Sequence, residues 1–163
     1  MVAAVFSYFQ DTPEGGVLKG PFRVVDGDTL TLPGQRLRLA GIDAPEKAQR
    51  CGEGESTWPC GTAATVALRE RVVPGTVCEG MRRDRYRRLL VRCTGPQGDI
   101  AADMARQGYV VSYGKYQHEE REARAARRGL WAGPFERPAD WRKARKLEAE
   151  DAAFWDWIGG LWQ

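Results

Sequence analysis

Four acidic side chains in the first third of the chain are the residues best suited to chemistry. Asp26 and Asp28 are separated by one glycine, and Asp43 and Glu46 by an Ala-Pro step. A hard cation such as Ca²⁺ takes about six to eight oxygen ligands, which carboxylates, a backbone carbonyl and water supply together. Asp28, Asp43 and the carbonyl of Ala44 are therefore predicted to bind it. Each motif alone is an ordinary turn or loop sequence, so the prediction depends on their combination.

Two arginines carry the complementary positive charge. Arg38 lies five residues before Asp43, on the face of a predicted strand opposite its leucine neighbours. A guanidinium group binds phosphate through two parallel hydrogen bonds and keeps its charge at any physiological pH. Arg88 ends the Arg-rich run 82–88, the densest basic stretch of the chain. A plain salt bridge for Arg38 and a solvated charge run for Arg88 are the alternative interpretations.

Short strands are expected to position these side chains. Apolar and polar residues alternate over 17–42 around two glycine-containing turn signals, which predicts a β-meander. Strand character returns over 76–94, with a hairpin tip near Arg85 and Tyr86. Five short antiparallel strands of this kind can close as a small barrel, so the fold class is predicted as α+β.

Three helices and an additional C-terminal helix are predicted to accompany the strands. They cover 61–73, a short segment capped by Asp99 and ended by Gly108, 119–128, and a last helix that begins at Pro138. Apolar residues fall near one stripe of the last helix, at Trp141, Ala144, Leu147, Trp155 and Ile158, so it is expected to pack on the barrel. We divide the chain into one domain over 17–133 and a C-terminal helical extension over 134–163.

The four cysteines form no Cys-x-x-Cys pair, which argues against zinc. Cys78 and Cys93 are equidistant from the predicted hairpin tip, and Cys51 and Cys60 flank a loop, which favours these two disulfides. The sequence alone leaves the connectivity open. Two disulfides indicate an oxidising compartment, and four reduced thiols in a cytosolic protein are the alternative.

Composition and the N-terminal residues bear on the partner and the compartment. The net charge is +3 and the pI is near 8.8, a mild basic excess that fits an anionic partner. The start, residues 1–6, has no Lys or Arg and does not resemble a secretory signal. The cysteines favour a periplasmic or secreted protein, and a cytoplasmic location stays open as the alternative. No segment is apolar and long enough to predict a membrane span.

These residues resemble the staphylococcal nuclease (thermonuclease) family over most of residues 22–131. The resemblance is carried, in order and spacing, by 25–29, Arg38, 41–46, 84–88, 106–108 and 119–131. It implies an OB-fold barrel with about three helices. It also implies a Ca²⁺-dependent endonuclease that hydrolyses phosphodiester bonds in DNA and RNA and leaves 3′-phosphates.

The resemblance also implies a role for each matched position. Asp28, Asp43 and the Ala44 carbonyl would bind Ca²⁺, Glu46 would be the general base, Arg38 and Arg88 would hold the scissile phosphate, and Tyr86 would lie close to the substrate. Arg87, Tyr113 and Tyr116 are further candidates for substrate binding, with barrel packing as the alternative for the two tyrosines. The chain departs from the family pattern at Ala44, where threonine is usual, and at Arg87, where a glycine usually precedes the second arginine.

Two other interpretations remain beside the enzyme. The first is a non-catalytic OB-fold module that binds nucleic acid without cutting it. The second is a disulfide-stapled interaction protein whose metal is only structural. We expect a monomer without an obligate protein partner. Membrane-surface contact or self-association through the Trp-rich C-terminus, with Trp155, Trp157 and Trp162, is a further possibility.

Overall fold

A computed structural model describes residues 16–160, with side chains described for residues 16–153. The strands are β1 (Val17–Lys19), β2 (Arg23–Val24), β3 (Thr29–Leu32), β4 (Gln35–Leu39), β5 (Ile42–Asp43), β6 (Val77–Arg83), β7 (Leu89–Gly95), β8 (Gly98–Asp99) and β9 (Val111–Ser112). The helices are α1 (Cys60–Arg71), α2 (Ile100–Arg106), α3 (Gln117–Ala125) and α4 (Pro138–Gly160). Short 3₁₀ turns lie at Gly54–Ser56 and Gly129–Ala132. Within this described range, no helix combines the length and apolar character needed to cross a membrane.

Most strands join one curled mixed sheet in the order β1-β6-β7-β4-β3-β2, with β8 paired to β7. Strands β5 and β9 form a second, antiparallel pair. The expected OB-fold barrel of the α+β class is confirmed. One pairing differs from the antiparallel expectation, because β4 and β7 run parallel. Between β4 and β7 the chain passes through α1 and then β6. This connection brings β7 back beside β4 in the same direction.

The interior of the barrel explains why the functional side chains face outward from the sheet. In β4, Leu37 and Leu39 are fully buried, whereas the side chain of Arg38 between them keeps 11% of its surface exposed. Leu89 and Val91 of β7 are buried beside them. Because strand side chains alternate between faces, burying the two leucines directs Arg38 to the opposite face.

Two glycines allow the backbone to approach closely where the acidic residues meet. A Cβ on Gly27 would lie 2.7 Å from the Cβ of Ala44 and 2.8 Å from that of Ala64, so only glycine fits this turn. A Cβ on Gly61 would overlap the carbonyl oxygen of Glu46. The N-terminus of α1 is therefore packed directly on the segment that carries Glu46.

Both expected disulfides, Cys51–Cys60 and Cys78–Cys93, are present. Cys78 and Cys93 are directly opposite each other in the β6–β7 register, as the hairpin symmetry predicted. Cys51 pairs through its backbone with Trp58, so the Cys51–Cys60 bond closes a compact loop between β5 and α1. All four cysteines are used, and the alternative of four free thiols is not what the structure shows.

The last helix leaves the barrel earlier than its apolar stripe predicted. It begins at Pro138 as expected, and Trp141 and Ala144 are half-buried. Leu147 is 52% exposed, and every side chain from 145 to 153 is exposed, so the packing expectation is wrong there. The side chains of Trp155, Trp157, Ile158 and Trp162 lie outside the described residues. The boundary between the 17–133 domain and the 134–163 extension stays a prediction.

Candidate active site

An open cleft of about 880 Å³ gathers most of the residues that the sequence singled out. Its walls come from the turn before β3, strand β4, the segment after β5, the β6–β7 hairpin and helix α4. The lining includes Asp26, Asp28, Arg38, Asp43, Ala44, Glu46, Tyr86, Arg88, Tyr113 and Arg142. Segments that are distant in sequence therefore meet at one place.

Arg38 joins the two aspartates of the cleft. Its Nη1 donates to Asp28 Oδ1 at 2.6 Å, and its Nη2 donates to Asp43 Oδ1 at 2.6 Å. The β3–β4 register sets Arg38 opposite Thr29, next to Asp28. Burial opposes the charge of Arg38, but Asp28 and Asp43 more than offset this effect and raise its pKa. Two of the five N–H donors of the guanidinium group are used, so others remain for a ligand.

Asp28 is the most buried acid of the cleft, with 3% of its surface exposed. Its Oδ1 accepts a hydrogen bond from the Thr29 hydroxyl at 2.9 Å, and its Oδ2 accepts one from the Ala44 backbone N–H at 2.9 Å. Burial raises the pKa of Asp28 to about 7 against the lowering effect of Arg38, and Asp26 adds to the rise. A crowded carboxylate of this kind gains most from a nearby cation.

Glu46 lies after β5, on a segment whose backbone is fixed by hydrogen bonding and packing. Its N–H donates to Oε1 of Gln49 at 3.2 Å, and α1 packs against its carbonyl through Gly61. The side chain is 37% exposed and points into the cleft. This exposure leaves room for a water molecule beside the carboxylate.

Arg142 is the residue that the sequence analysis missed. From helix α4, its Nη2 donates to Asp43 Oδ2 at 2.9 Å and Oδ1 at 3.1 Å, and its Nη1 donates to Glu46 Oε1 at 2.9 Å. Burial opposes its charge, but the hydrogen bonds to Asp43 and Glu46 outweigh burial and raise its pKa. Arg142 is one of several basic residues on an amphipathic helix, and nothing in the sequence near it predicts such a contact.

The β6–β7 hairpin holds Arg88 at the cleft despite the unusual residue before it. Asp84 Oδ1 accepts the backbone N–H groups of Tyr86 and Arg88, each at 2.9 Å, and Asp84 Oδ2 accepts Arg88 Nε at 2.8 Å. Arg87 has φ 64°, a left-handed conformation that favours glycine. This explains why glycine is usual there. Arg87 itself faces an adjacent groove, while Arg88 lines both the groove and the cleft.

The three candidate tyrosines have different surroundings. Tyr86 is 64% exposed and Tyr113 is 49% exposed, and both line the cleft. Tyr116 is not brought to the cleft. It is buried in the core, and its hydroxyl donates to Asp99 Oδ2 at 2.8 Å, so burial and this hydrogen bond raise its pKa above the ordinary tyrosine range. Barrel packing, the alternative for Tyr116, is therefore what the structure shows.

The donor chemistry of the cleft suits a hard divalent cation. The carboxylates of Asp26, Asp28, Asp43 and Glu46 line the cleft, and the guanidinium groups of Arg38 and Arg142 contact the last three of them. All candidate donors are oxygens, as such a cation prefers. Among the described residues, no three acidic, histidine or cysteine side chains converge on one point, so two aspartates, a carbonyl and water are the set available. The rim is basic, with Arg36, Arg82, Arg83 and Arg85.

Comparisons with known proteins agree with this arrangement. The profile of the family described as Staphylococcal nuclease homologue matches residues 36–133. A protein of Schizophyllum commune named probable endonuclease is 34% identical over 159 residues, covering 80% of this chain and 52% of that protein. A protein of Haemophilus influenzae named uncharacterized endonuclease is 32% identical over 138 residues, covering 77% of this chain and 72% of that protein.

A third relative carries a different kind of name. A protein of Rhizobium meliloti named for succinoglycan biosynthesis is 30% identical over 142 residues, covering 80% of this chain and 74% of that protein. The chain therefore spans about half of the fungal relative and about three quarters of the bacterial ones. The profile match covers more than half of the chain and includes most of β4, all of β5 and the hairpin of the cleft. This chain belongs to the staphylococcal nuclease homologue family.

Proposed function

We propose that this protein is a Ca²⁺-dependent nuclease that hydrolyses phosphodiester bonds of DNA and RNA and leaves 3′-phosphates. The observation that carries the proposal is the convergence of Asp28, Arg38, Asp43 and Glu46 in one open cleft. Two relatives whose names include endonuclease support the same reaction class. A binding module has no need to bring a half-exposed carboxylate beside a buried acid pair.

The proposed reaction assigns a task to each side chain. Glu46 takes a proton from a water molecule as the water oxygen forms a bond to phosphorus. The bond from phosphorus to the 5′-oxygen breaks, and that oxygen takes a proton from solvent, which leaves a 3′-phosphate and a 5′-hydroxyl. Arg38 and Arg88 donate to the phosphate oxygens as negative charge develops on them.

The metal would be held by Asp28, Asp43 and the Ala44 carbonyl, with water filling the remaining positions. When bound, Ca²⁺ would neutralise charge on the phosphate. The burial of Asp28 beside Asp26 and Asp43, which raises its pKa, supports a cation in this place because a cation would offset this crowding of carboxylates. Arg38 holds Asp28 and Asp43 on the same side of the sheet, so both carboxylates face the cleft.

The substrate strand is proposed to leave the cleft along the hairpin. A second groove of about 530 Å³ is lined by Arg36, Arg83, Tyr86, Arg87 and Arg88 and by no acidic residue. Arg36, Arg83, Tyr86 and Arg88 also line the cleft, so the two spaces are continuous. Basic side chains beside exposed aromatic rings are typical of sites that hold single-stranded nucleic acid.

The covalent chemistry of the cysteines supports a proposal about the compartment. Two disulfides persist in an oxidising environment, and all four cysteines of the chain take part in them. We therefore include a periplasmic or extracellular location in the proposal. Separation of the folded protein on a gel with and without reductant, after extraction with an alkylating agent, would show the native thiol state.

The proposed activity is tested on labelled single-stranded DNA and RNA that are incubated with Ca²⁺, Mg²⁺, Zn²⁺ or a chelator. We expect cleavage with Ca²⁺ that the chelator abolishes. Glu46→Gln should lower the rate by about 10²–10⁴ because a positioned base is lost. Glu53→Gln, an exposed residue on the following loop, is the matched control and should leave the rate unchanged. Binding without cleavage by the folded wild-type protein would instead identify a non-catalytic module.

A further inference from the structure

We infer that Arg142 is a positioning residue of this site, which holds the Glu46 carboxylate at a set place relative to Asp43. The inference rests on the proposed function, in which Glu46 accepts the proton and Asp43 binds the cation. No sequence pattern assigns a role to this arginine. Its guanidinium group spans the two carboxylates as a fork, with one terminal nitrogen on each.

The Glu46 side chain depends on Arg142 for its orientation. Among the described side chains, Arg142 is the one hydrogen-bond or ion-pair partner of the Glu46 carboxylate. A glutamate carboxylate that is 37% exposed has three rotatable bonds and samples several rotamers when nothing restrains it. The planar guanidinium group restrains it at little cost, because its donors are fixed in one plane.

The helix that carries Arg142 is attached to the same loop as Glu46. The buried side chain of Gln49 accepts from the Glu46 N–H at 3.2 Å and donates to the Glu136 carbonyl at 2.7 Å. The Gly52 N–H donates to the Pro134 carbonyl at 2.8 Å. Base and arginine are therefore positioned by one structural unit, although they are 96 residues apart.

The positive charge of Arg142 predicts opposite effects on Ca²⁺ affinity and on turnover when the residue is removed. With Arg142 present, its guanidinium group offsets part of the negative charge of Asp43 and Glu46. Removing Arg142 leaves one more uncompensated carboxylate, so a cation should bind more tightly. The same removal frees Glu46, so turnover should fall. Removal of a residue that merely stabilised the fold would lower both Ca²⁺ affinity and turnover. Removal of a residue that blocked the site would raise both.

The test compares Arg142→Gln with Lys143→Gln in the full-length protein. Lys143 is exposed on the same helix, and its replacement removes the same charge. Ca²⁺ affinity is measured by titration calorimetry without nucleic acid, and kcat and KM are measured on a short labelled oligonucleotide. For Arg142→Gln we expect roughly tenfold tighter Ca²⁺ binding. We also expect kcat to fall by about 10²-fold, the cost of a misplaced group, with KM nearly unchanged. Lys143→Gln should change none of these.

The conservative variant separates charge from geometry. Arg142→Lys restores the positive charge but has a single nitrogen in place of the two-nitrogen fork, so Ca²⁺ affinity should return to the wild-type value while kcat stays low. Added guanidinium ion should restore part of the activity of Arg142→Ala. Thermal unfolding of each variant checks that the fold is intact.

Three outcomes would overturn the inference. They are a fall of both Ca²⁺ affinity and kcat, a rise of both, or an unchanged kcat in Arg142→Gln. A wild-type protein that binds Ca²⁺ but cuts nothing would remove the proposed function and the positioning role with it. In that case the Ca²⁺ affinities of wild type and Arg142→Gln still show whether Arg142 lies beside the cation. Failure of the proposed function can therefore be distinguished from failure of the inference about Arg142.

Discussion

At the scale of single residues, the departures from the family pattern have physical explanations. Ala44 contributes its backbone to the cleft, and its N–H bonds to Asp28 without any need for a threonine side chain. Arg87 takes the left-handed conformation that a glycine would adopt with less strain. Its N–H donates to the Asp84 carbonyl at 2.9 Å, which keeps the hairpin turn closed. Arg88 therefore stays at the cleft.

A buried glutamate away from the cleft predicts how stability depends on pH. Burial would raise the pKa of Glu120, but the Ser112 backbone N–H and Arg124 outweigh burial and lower it below the unfolded value of 4.5. A carboxyl group with a lowered folded pKa stabilises the protein above the unfolded pKa, and this contribution is lost as pH falls through the folded pKa. The wild-type protein should therefore lose stability below about pH 4.5.

The measurement is urea unfolding of wild type and Glu120→Gln at pH 7 and at pH 3. At pH 7 the variant should be less stable by about 1.5–3 kcal/mol, the value of a hydrogen bond to a charged group. At pH 3 the difference should shrink, because the wild-type carboxyl group is also losing its charge. Glu70→Gln, an exposed residue, should show no such pattern. An equal difference at both pH values would contradict the assignment.

At the scale of elements, the β6–β7 hairpin and helix α4 have opposite relations to the cleft. The hairpin extends from the barrel with most of its arginines exposed, so it offers charge to a polyanion. Helix α4 instead places Arg142 against two carboxylates, and its side chains from 145 to 153 are exposed. The first element is therefore suited to binding substrate, and the second to ordering the site.

Substitutions in the groove should separate strand binding from turnover. Arg36→Gln and Arg83→Gln should each raise KM for a long single-stranded DNA and leave kcat unchanged. Each lost phosphate contact should reduce the slope of log affinity against log salt by about 0.7, as counterion release requires for single strands. Arg69→Gln on the exposed surface of α1 is the matched control. An unchanged salt slope in both groove variants would show that the strand takes another path.

At the scale of the whole molecule, the barrel and its two disulfides bring distant segments to one face. Cys78–Cys93 joins the two strands that lead into the hairpin. Cys51–Cys60 closes the loop that follows Glu46 and leads into α1. The first bond therefore stabilises the barrel, whereas the second stabilises the loop that follows the proposed base.

Removing each disulfide should therefore have different effects. Replacing either pair of cysteines by serine should cost about 2–4 kcal/mol in unfolding free energy. The Cys51→Ser/Cys60→Ser protein should also lose kcat at a temperature where it is still folded, because the Glu46 loop is loosened. The Cys78→Ser/Cys93→Ser protein should keep its kcat under the same conditions. Urea unfolding and rate measurements on both proteins decide the matter, and equal loss of kcat would contradict the distinction.

Much of the fold and part of the site could be predicted because the signals are local. Alternation in β4 places Arg38 opposite its leucines, and turn residues mark the hairpin whose symmetry pairs Cys78 with Cys93. The acidic motifs at Asp28 and Asp43 are likewise readable within a few residues. These features follow from backbone geometry over short distances, which the sequence expresses directly.

Other features depended on contacts between distant parts of the chain. Tyr113 and Tyr116 are three residues apart and chemically alike, yet one lines the cleft and the other is buried against Asp99. Arg142 reaches Asp43 across 99 residues, and nothing near it in sequence marks it from the other basic residues of α4. The sequence by itself determined the family, the strand regions 17–42 and 76–94 and the acidic pair. Only the tertiary structure decided which aromatic ring and which arginine complete the cleft, because packing between remote segments leaves no periodic signal along the chain.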